Sequence, residues 1–370
     1  MENYKSADIR NVCLIGHSSD GKTSLAESML YLSKATDRLG KISDKNTVCD
    51  YDDEELKRGF SISASLALIE WKKKKINLLD TPGYLDFVGE VKQALRVAGS
   101  AVIVVDAKAG IEVGTELAWD YASHAELPRA FFINKCDDPE ARFSRVFHEL
   151  REQFGISVCP VLIPILENDK IVGLLNLTNM EARLFDGSGE KVGEIPASFR
   201  EKAAEYRNMF LESIAETDEA LMEKFFAEEE MTKEEIDKAL HDGILSHSII
   251  PVLCGSATKL WGVSTALDII VDSFPSPVHR AAETVMDGDE KKLVDMKVDG
   301  EPSIFVYKTV SDPFVGKMSF FKVMSGTLKK DAMLKNLTTG QTEKIARIYC
   351  MRGKKQIEVD SLPCGDLGMT

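Results

Sequence analysis

A glycine-rich stretch after the first apolar segment has the residue types and spacing needed to hold a chain of phosphates. It fits the pattern Gly-x-x-x-x-Gly-Lys-Ser/Thr and consists of Gly16, His17, Ser18, Ser19, Asp20, Gly21, Lys22 and Thr23. Glycines let main-chain N–H groups curl around phosphate oxygens, and a helix that starts here adds positive potential. Lys22 is predicted to reach the β- and γ-phosphates and support catalysis, and Thr23 is predicted to bind Mg²⁺.

Four residues at the end of a later apolar run offer a second part of the same site. They are Asp80, Thr81, Pro82 and Gly83. The Asp80 carboxylate is suited to the magnesium shell, and the Gly83 N–H is suited to face the γ-phosphate during catalysis. Taken alone, these four residues are equally compatible with an ordinary turn.

Two further loops have the groups needed to recognise a base. Asp137 can accept from the N1 and N2 protons of guanine, which adenine does not offer, while Asn134 supports the pocket and the Lys135 stem covers the base. In a later loop, Ser256 precedes Ala257, whose N–H is predicted to meet guanine O6. Each loop alone is a weak signal. Four such segments in this order, each after an apolar run, predict binding of GTP and GDP with Mg²⁺.

The elements that must position these loops alternate between short apolar strands and helical segments. Strands are predicted at 12–15, 64–70, 76–80, 101–106, 130–133 and 249–253, with a helix over 24–32. This alternation predicts a mainly parallel α/β sheet that binds its ligand at the carboxyl ends of its strands. Lysines 72–75 are predicted to be a solvated hairpin tip rather than a nucleic-acid contact.

The pattern changes between residues 157 and 248. Strands at 171–177 and 183–185, a turn at 186–189 and acidic helices predict an α+β insertion without catalytic function. Two capping boxes are predicted to start its helices, Ser198 with Glu201 and Thr232 with Glu235. The helices are compatible with a partner surface, although a solvated face is the simpler reading.

From residue 301 the pattern becomes strand after strand, with turns at 312–313, 325–326 and 339–340. This spacing is typical of a small antiparallel β-barrel. The predicted fold is therefore an α/β P-loop GTPase domain with an α+β insertion, followed by a small antiparallel β-barrel domain. The predicted boundaries are 1–278 for the first domain, about 157–248 for its insertion, 279–300 for a polar linker or loose loop and 301–370 for an incomplete barrel.

Composition narrows the class of protein. The 370 residues carry a net charge of −14, which argues against a protein that coats nucleic acid but leaves docking on a nucleoprotein open. The chain has no signal-peptide pattern and no apolar run long enough to span a bilayer. Scattered cysteines without a Cys-x-x-Cys pair favour reduced thiols over a disulfide frame or zinc site. We therefore expect a cytoplasmic monomer without membrane or DNA partners.

The order of these motifs resembles that of translational GTPases, and specifically of elongation factor G and its relatives. The segments that carry the resemblance are 50–62, similar to the first switch of that family, 80–87, similar to the second switch, 251–257, and 311–316 in the barrel. The resemblance covers nearly the whole chain, including the insertion. It implies that the ribosome, through its RNA and proteins, is the partner that stimulates slow GTP hydrolysis. It also implies that this chain is the front portion of a longer protein.

Three residues depart from the family pattern. Tyr84 stands where the family usually has the histidine that orients the attacking water; its hydroxyl is neutral and either binds a water or packs on the switch. Ser19 replaces the P-loop aspartate, which moves to Asp20. Ser61 replaces the magnesium-binding threonine and offers the same kind of hydroxyl. The tyrosine variant resembles the factor G-like branch of the family rather than the main translocase.

The resemblance implies a nucleotide switch. In the GTP state Ser61 and the Gly83 N–H hold both switches, and hydrolysis is expected to release them and reorient the barrel. Two alternatives stay open: a GTP-gated ribosome binder that hardly hydrolyses GTP, and a ribosome-protection factor that removes an antibiotic. A signalling GTPase that works without ribosomes fits the barrel and the insertion less well.

Overall fold

The structure is a computed structural model that describes residues 4–168, 170–186, 189–279, 282–287, 290–312 and 316–370. The predicted turns at 186–189 and 312–313 and the motif at 311–316 therefore lie partly outside the described residues. None of the helices in the described part of the chain has the length and apolar character needed to span a lipid bilayer.

Helices and strands alternate through the first part of the chain, as the sequence predicts. In chain order they are β1 (Ile9–Gly16), α1 (Lys22–Leu32), α2 (Asp53–Arg58), β2 (Ser65–Trp71), β3 (Lys74–Asp80), α3 (Val88–Val97), β4 (Ser100–Asp106), α4 (Val113–His124), β5 (Arg129–Asn134), α5 (Phe143–Phe154) and β6 (Val158–Pro160). Single 3₁₀ turns occur at Ser6–Asp8, Leu85–Phe87, Ala197–Phe199 and Pro277–His279.

The insertion follows β6 and returns to the sheet at β11. Its elements, with the strand and helix that come after them, are β7 (Leu162–Glu167), β8 (Lys170–Asn176), β9 (Glu181–Phe185), β10 (Glu190–Gly193), α6 (Arg200–Ala215), α7 (Glu219–Phe226), α8 (Lys233–Ser246), β11 (Ile250–Cys254) and α9 (Val263–Ser273). Strands β7 to β10 form an antiparallel sheet of their own. The Thr232 capping box is confirmed. The Ser198 box is wrong, because a 3₁₀ turn precedes α6 and the N-cap is Phe199, which has no capping side chain.

The central sheet has the strand order β2–β3–β1–β4–β5–β11–β6. All neighbours in this run are parallel except β2, which pairs antiparallel with β3. Helices cover the sheet, so its strands are buried on both faces and read as continuous apolar runs. The carboxyl ends of β1, β3, β4, β5 and β11 consequently meet at one edge, where a ligand binds in such sheets.

The remaining strands form the β-rich second domain. They are β12 (Ala282–Asp287), β13 (Glu290–Asp295), β14 (Ser303–Asp312), β15 (Gly316–Ser325), β16 (Thr327–Lys329), β17 (Ala332–Lys335), β18 (Thr342–Ile345), β19 (Ile348–Arg352), β20 (Lys355–Val359), β21 (Ser361–Pro363) and β22 (Leu367–Met369). Strands β12 and β13 form a hairpin where the sequence suggested a loose loop. An α/β GTPase-type domain followed by an antiparallel β-rich domain is thus confirmed, while the domain boundaries remain predictions.

The two domains share one continuous sheet and a buried polar contact. Strand β19 pairs with β2 through Arg352 and Ala67, which links the barrel to the α/β sheet. Lys75 is fully buried, and its Nζ lies 2.7 Å from Asp366 Oδ2 of the barrel. The prediction of a solvated tip holds for Lys72 and Lys73, which are exposed, but is wrong for Lys75 because a distant carboxylate neutralises it.

Candidate nucleotide site

The glycine-rich loop runs from the end of β1 at Gly16 to the start of α1 at Lys22. Gly21 has φ of +91°, and a Cβ built there would lie 2.4 Å from Asn134 Nδ2, so only glycine fits. Lys22 is buried and its Nζ donates to Gly16 O at 3.1 Å and to His17 O at 2.5 Å. The loop therefore wraps around the ammonium group that the sequence assigns to phosphate contact.

Two side chains of the loop are held by other elements. His17 Nδ1 accepts from the Gly114 N–H at 3.2 Å and its Nε2 lies 3.4 Å from Glu112, so the start of α4 fixes the loop. Asp20 is 1% exposed, and its Oδ2 has no hydrogen-bond partner among the residues that the structure describes. Burial raises the pKa of Asp20 to about 8, although the nearby Lys22 acts in the opposite direction. The glycine-rich loop therefore contains a carboxyl group at position 20, although Ser19 occupies the position where elongation factor G has an aspartate.

Three predicted metal ligands lie together below this loop. Thr23 Oγ1 and Ser61 Oγ are 3.0 Å apart, and within the described part of the chain neither carboxyl oxygen of the buried Asp80 has a hydrogen-bond partner. Burial and the neighbouring Asp50 carboxylate raise the pKa of Asp80 to about 8. Hydroxyl and carboxylate oxygens are the donors that Mg²⁺ prefers, and a cation would satisfy the buried carboxylate. The residues present therefore fit a magnesium ion.

Sequence reasoning did not single out Asp50 as a member of this cluster. The Asp50 side chain is 4% exposed, and no described residue forms a hydrogen bond with its Oδ2. Burial raises the pKa of Asp50 to about 6, although the hydrogen bond from the Ser61 hydroxyl acts in the opposite direction. Nearby, Glu55 Oε1 accepts from the main-chain N–H of Ile62 at 2.9 Å and of Ser63 at 3.0 Å, so α2 holds the segment that carries Ser61. The available signal was that Asp50 opens the segment similar to a first switch.

The segment after β3 closes on the glycine-rich loop. Thr81 Oγ1 donates to Leu14 O at 2.6 Å, which anchors the strand end, and Pro82 is buried beside it. A Cβ at Gly83 would lie 2.5 Å from Lys22 Nζ and 2.6 Å from Ser18 Cα. A side chain at position 83 is therefore excluded, and the Gly83 backbone lies next to the ammonium group.

Tyr84 lies at the mouth of the resulting cavity, which has a volume of about 250 Å³. Its side chain is 41% exposed, and its ring centroid is 4.6 Å from that of Phe60. Of the two roles left open for Tyr84, packing on the first switch is present in this geometry. Phe60 is a second residue that sequence reasoning missed, because its role depends on a contact with a segment 24 residues away. Ser18 and Ser19 line the same cavity.

A second cavity of about 330 Å³ adjoins the first and is lined by Lys135, Asp137, Ser256 and Ala257. Asn134 joins its walls, since its Nδ2 donates to Asp20 O at 2.8 Å and its Oδ1 accepts from the Ala257 N–H at 3.0 Å. A guanine O6 at this point would share the Ala257 N–H with Asn134. The predicted base-recognition residues are thus brought together around one cavity.

Lys135 is held in place by a residue that the sequence reading treated only as a strand end. Its Nζ donates to Asp106 Oδ2 at 2.6 Å, so the stem lies along the cavity wall. Burial would raise the pKa of Asp106, but the hydrogen bond from Lys135 lowers it below its usual value. The carboxyl ends of β4 and β5 therefore hold the lysine stem where a purine can stack.

Comparison with known proteins agrees with this geometry in both domains. Residues 7–276 match the family model described as elongation factor Tu GTP binding domain. The chain belongs to the translational GTPases. Residues 301–369 match the model described as elongation factor G domain 2. As a translational GTPase, the chain has a GTPase domain of the kind that binds guanine nucleotide.

A solved structure from Thermus thermophilus is similar over nearly the whole chain. The TM-score is 0.88 at 32% sequence identity, and the match covers 98% of this translational GTPase. The same match covers 52% of the other protein, so this chain spans about half of its length.

Proposed function

We propose that this translational GTPase is of the elongation factor G type, in its factor G-like branch with tyrosine at position 84. It binds GTP or GDP with Mg²⁺ and acts on the ribosome, in the cytoplasm, as a nucleotide-driven switch. The observation that carries the proposal is the match of residues 301–369 to domain 2 of elongation factor G. This domain follows, along the chain, the four loops that line the two cavities proposed to bind guanine nucleotide. We further propose a monomer and the front portion of a longer factor.

Charge distribution supports the ribosome as partner. The chain as a whole is acidic, with a net charge of −14, yet residues 301–370 have eleven lysines and arginines against seven acidic residues. A basic surface gains affinity for a phosphate backbone through counterion release. The barrel is therefore the part of the chain suited to contact with the phosphate backbone of ribosomal RNA.

Hydrolysis by this chain depends mainly on positioning and charge. Lys22 would contact the β- and γ-phosphates, and the Gly83 N–H would face the γ-phosphate. Thr23, Ser61 and Asp80 would hold Mg²⁺, with Asp50 next to them. The ion, when bound, neutralises charge on the phosphates.

We propose that a change of nucleotide moves the two switch segments, while the barrel keeps its position on the GTPase domain. The sequence suggested that hydrolysis reorients the barrel. The buried ion pair of Lys75 with Asp366 and the strand pairing of Arg352 with Ala67 tie the barrel to the central sheet. Separating them would expose or unpair buried charges, which favours a fixed arrangement of the two domains.

The direct test is GTP turnover with and without ribosomes. We expect turnover to be slow alone and to rise at least tenfold when ribosomes are added, because the ribosome completes a site that is otherwise limited by positioning. Lys22→Ala serves as the control and should lose turnover in both conditions. Equal and negligible rates with and without ribosomes would contradict ribosome-stimulated hydrolysis.

The Tyr84–Phe60 contact favours a second candidate, a GTP-gated ribosome binder with weak hydrolysis. Here Tyr84→His should raise ribosome-stimulated turnover, because histidine is a far better general acid–base and water-orienting group than a tyrosine hydroxyl. Tyr84→Phe keeps the ring contact and removes the hydroxyl, so it should leave turnover unchanged. A large loss of turnover in Tyr84→Phe, with no gain in Tyr84→His, would assign the hydroxyl to catalysis instead.

A ribosome-protection role is tested separately, by measuring release of a bound antibiotic from ribosomes with the full-length factor.

A further inference from the structure

One lysine of the barrel reaches into the GTPase domain. Lys308 lies on β14, and its side chain is 9% exposed. Its Nζ donates to Ser63 Oγ at 2.5 Å, to Ala64 O at 2.8 Å and to Glu90 Oε2 at 2.8 Å. An ammonium group has three donors and no acceptor, so these contacts use its full hydrogen-bonding capacity.

The three acceptors lie directly after the two switch segments 50–62 and 80–87 and connect them to the barrel. Ser63 and Ala64 come directly after the segment that carries Ser61, and Glu90 lies on α3, which continues from the second-switch turn. Glu90 Oε2 also accepts from Ser63 Oγ at 3.1 Å and from the Ala64 N–H at 2.7 Å. One carboxylate and one ammonium group therefore join the two switches to each other and to the barrel.

The contact between Lys308 and Glu90 is an ion pair that is largely shielded from solvent. Burial would raise the pKa of Glu90, but the hydrogen bonds from Lys308 and from the Ala64 N–H lower it below its usual value, so the carboxylate is charged. Withdrawal of the Glu90 side would leave the largely buried Lys308 ammonium group without its counter-charge, and withdrawal of Ser63 and Ala64 would leave it without two of its three acceptors. Both changes are unfavourable. The contact consequently favours the one arrangement in which both switches lie against the barrel.

That arrangement is also the one suited to a bound triphosphate. Ser61 Oγ lies 3.0 Å from Thr23 Oγ1, so the first switch is already next to the glycine-rich loop, and Gly83 lies next to Lys22. We propose that Lys308 is a positioning residue through which the barrel stabilises the GTP arrangement of both switches. This inference rests on the proposed function, in which the switches respond to the nucleotide. By reciprocity, GTP then strengthens the contact of the switches with the barrel.

The test compares affinities for a non-hydrolysable GTP analogue and for GDP, measured by calorimetry at millimolar Mg²⁺. In Lys308→Met we expect the analogue to bind about tenfold more weakly and GDP to bind within twofold of the original affinity, because coupling energies of this size are typical of two-state elements. Lys330→Met is the matched control, since it removes an exposed barrel lysine that pairs with Asp360 and touches neither switch. It should change neither affinity.

Two further variants separate positioning from folding. Glu90→Gln keeps the size of the side chain and removes its charge, and it should reproduce the selective loss of analogue affinity. The double variant should lose no more than either single one if the two side chains act as a pair. Should Lys308→Met not fold, Glu90→Gln carries the test alone. Equal losses for both nucleotides, or no loss, would overturn the role of Lys308. Absence of guanine-nucleotide binding by the unmodified chain would instead overturn the proposed function itself.

Discussion

Strands β1 and β3 have a polar cluster at each of their two ends, and the clusters differ in how their buried polar atoms are satisfied. Next to the carboxyl ends, Asp20, Asp50 and Asp80 have buried oxygens without a hydrogen-bond partner among the described residues. Next to the amino ends, Lys75 and Asp366 form a buried ion pair across the domain junction. The first cluster needs a ligand to be complete, whereas the second is completed within the protein.

At the domain junction, the buried polar side chains form hydrogen bonds with one another and with the main chain. Asn77 Nδ2 donates to Asn11 Oδ1 and to Asp366 Oδ1, each at 2.8 Å, and Asn11 Nδ2 donates to Gly365 O at 2.7 Å. Burial would lower the pKa of Lys75, but the Asp366 carboxylate raises it above its usual value. Buried polar networks of this kind fix an arrangement, while unsatisfied ones bind ligands. Removing a charged side chain at the domain junction should therefore lower the stability of the nucleotide-free protein, whereas removing one at the carboxyl ends of the strands should raise it.

The largest effect is expected from Lys75→Met, which should destabilise the protein by about 3–5 kcal/mol because it leaves a buried carboxylate without its counter-charge. The measurement is the midpoint of urea unfolding followed by circular dichroism. Lys73→Met, at an exposed position two residues earlier, should shift the midpoint little. Adding Asp366→Leu to Lys75→Met should recover part of the loss. A change of less than about 1 kcal/mol in Lys75→Met would erase the distinction between the two clusters.

The reverse pattern is expected from Asp80→Asn. The nucleotide-free protein should melt about 2–4 °C higher, since folding no longer has to bury a carboxyl group whose pKa is raised well above its unfolded value. Affinity for GTP with Mg²⁺ should fall about 100-fold, or about 2.7 kcal/mol, because a ligand of the ion is lost. Scanning calorimetry and nucleotide titration supply the two readouts, with the exposed Asp86→Asn as control. A lower melting temperature would show that Asp80 is already satisfied within the protein.

Asp137→Asn should change which nucleotide base the protein prefers, without changing the stability of the fold. The amide can no longer accept both guanine protons, so preference should shift from guanine toward xanthine nucleotides by about 100-fold, as expected for a site built on specific hydrogen bonds. Competition binding with GDP and xanthosine diphosphate measures the ratio. Asp138→Asn is the control, because its Oδ1 accepts from the Glu140 N–H instead. Retained guanine selectivity in Asp137→Asn would remove this residue from the base pocket.

The smallest effect concerns acid stability at the contact of Lys308 with Glu90. The folded pKa of Glu90 is lower than its unfolded value, so its contribution is present above about pH 4.5 and is lost as the pH falls through the folded pKa. Glu90→Gln should therefore reduce the acid-induced fall in melting temperature below pH 4.5, by the equivalent of about 1 kcal/mol. Melting curves measured from pH 7 to well below the folded pKa of Glu90 provide the check. Identical acid profiles for the two proteins would mean that the pair contributes nothing.

Local patterns predicted the ligand-binding end of the sheet far better than the domain junction. The glycine-rich loop and the alternation of strands and helices depend on neighbours in sequence, so spacing alone indicated them. Lys75 was misassigned because its partner Asp366 lies 291 residues away. Asp50 and Phe60 were missed for the same reason, since Asp50 acts on the charge of Asp80 in β3 and Phe60 contacts Tyr84. Long-range pairing has no local signature, and the hairpin of β12 with β13 likewise arose in a segment that looked loose.

The most direct test of the central claim is calorimetric titration of the unmodified chain with GTP, GDP and ATP in millimolar Mg²⁺. Four loops at the carboxyl ends of the strands form two adjoining cavities, one lined by the buried Asp50 and the other by Asp137. We propose that these cavities hold a guanine nucleotide with its magnesium ion. We predict heat with GTP and GDP, no competition by ATP, and weaker GTP binding once Mg²⁺ is chelated. No heat with either guanine nucleotide, or equal competition by ATP, would contradict the account.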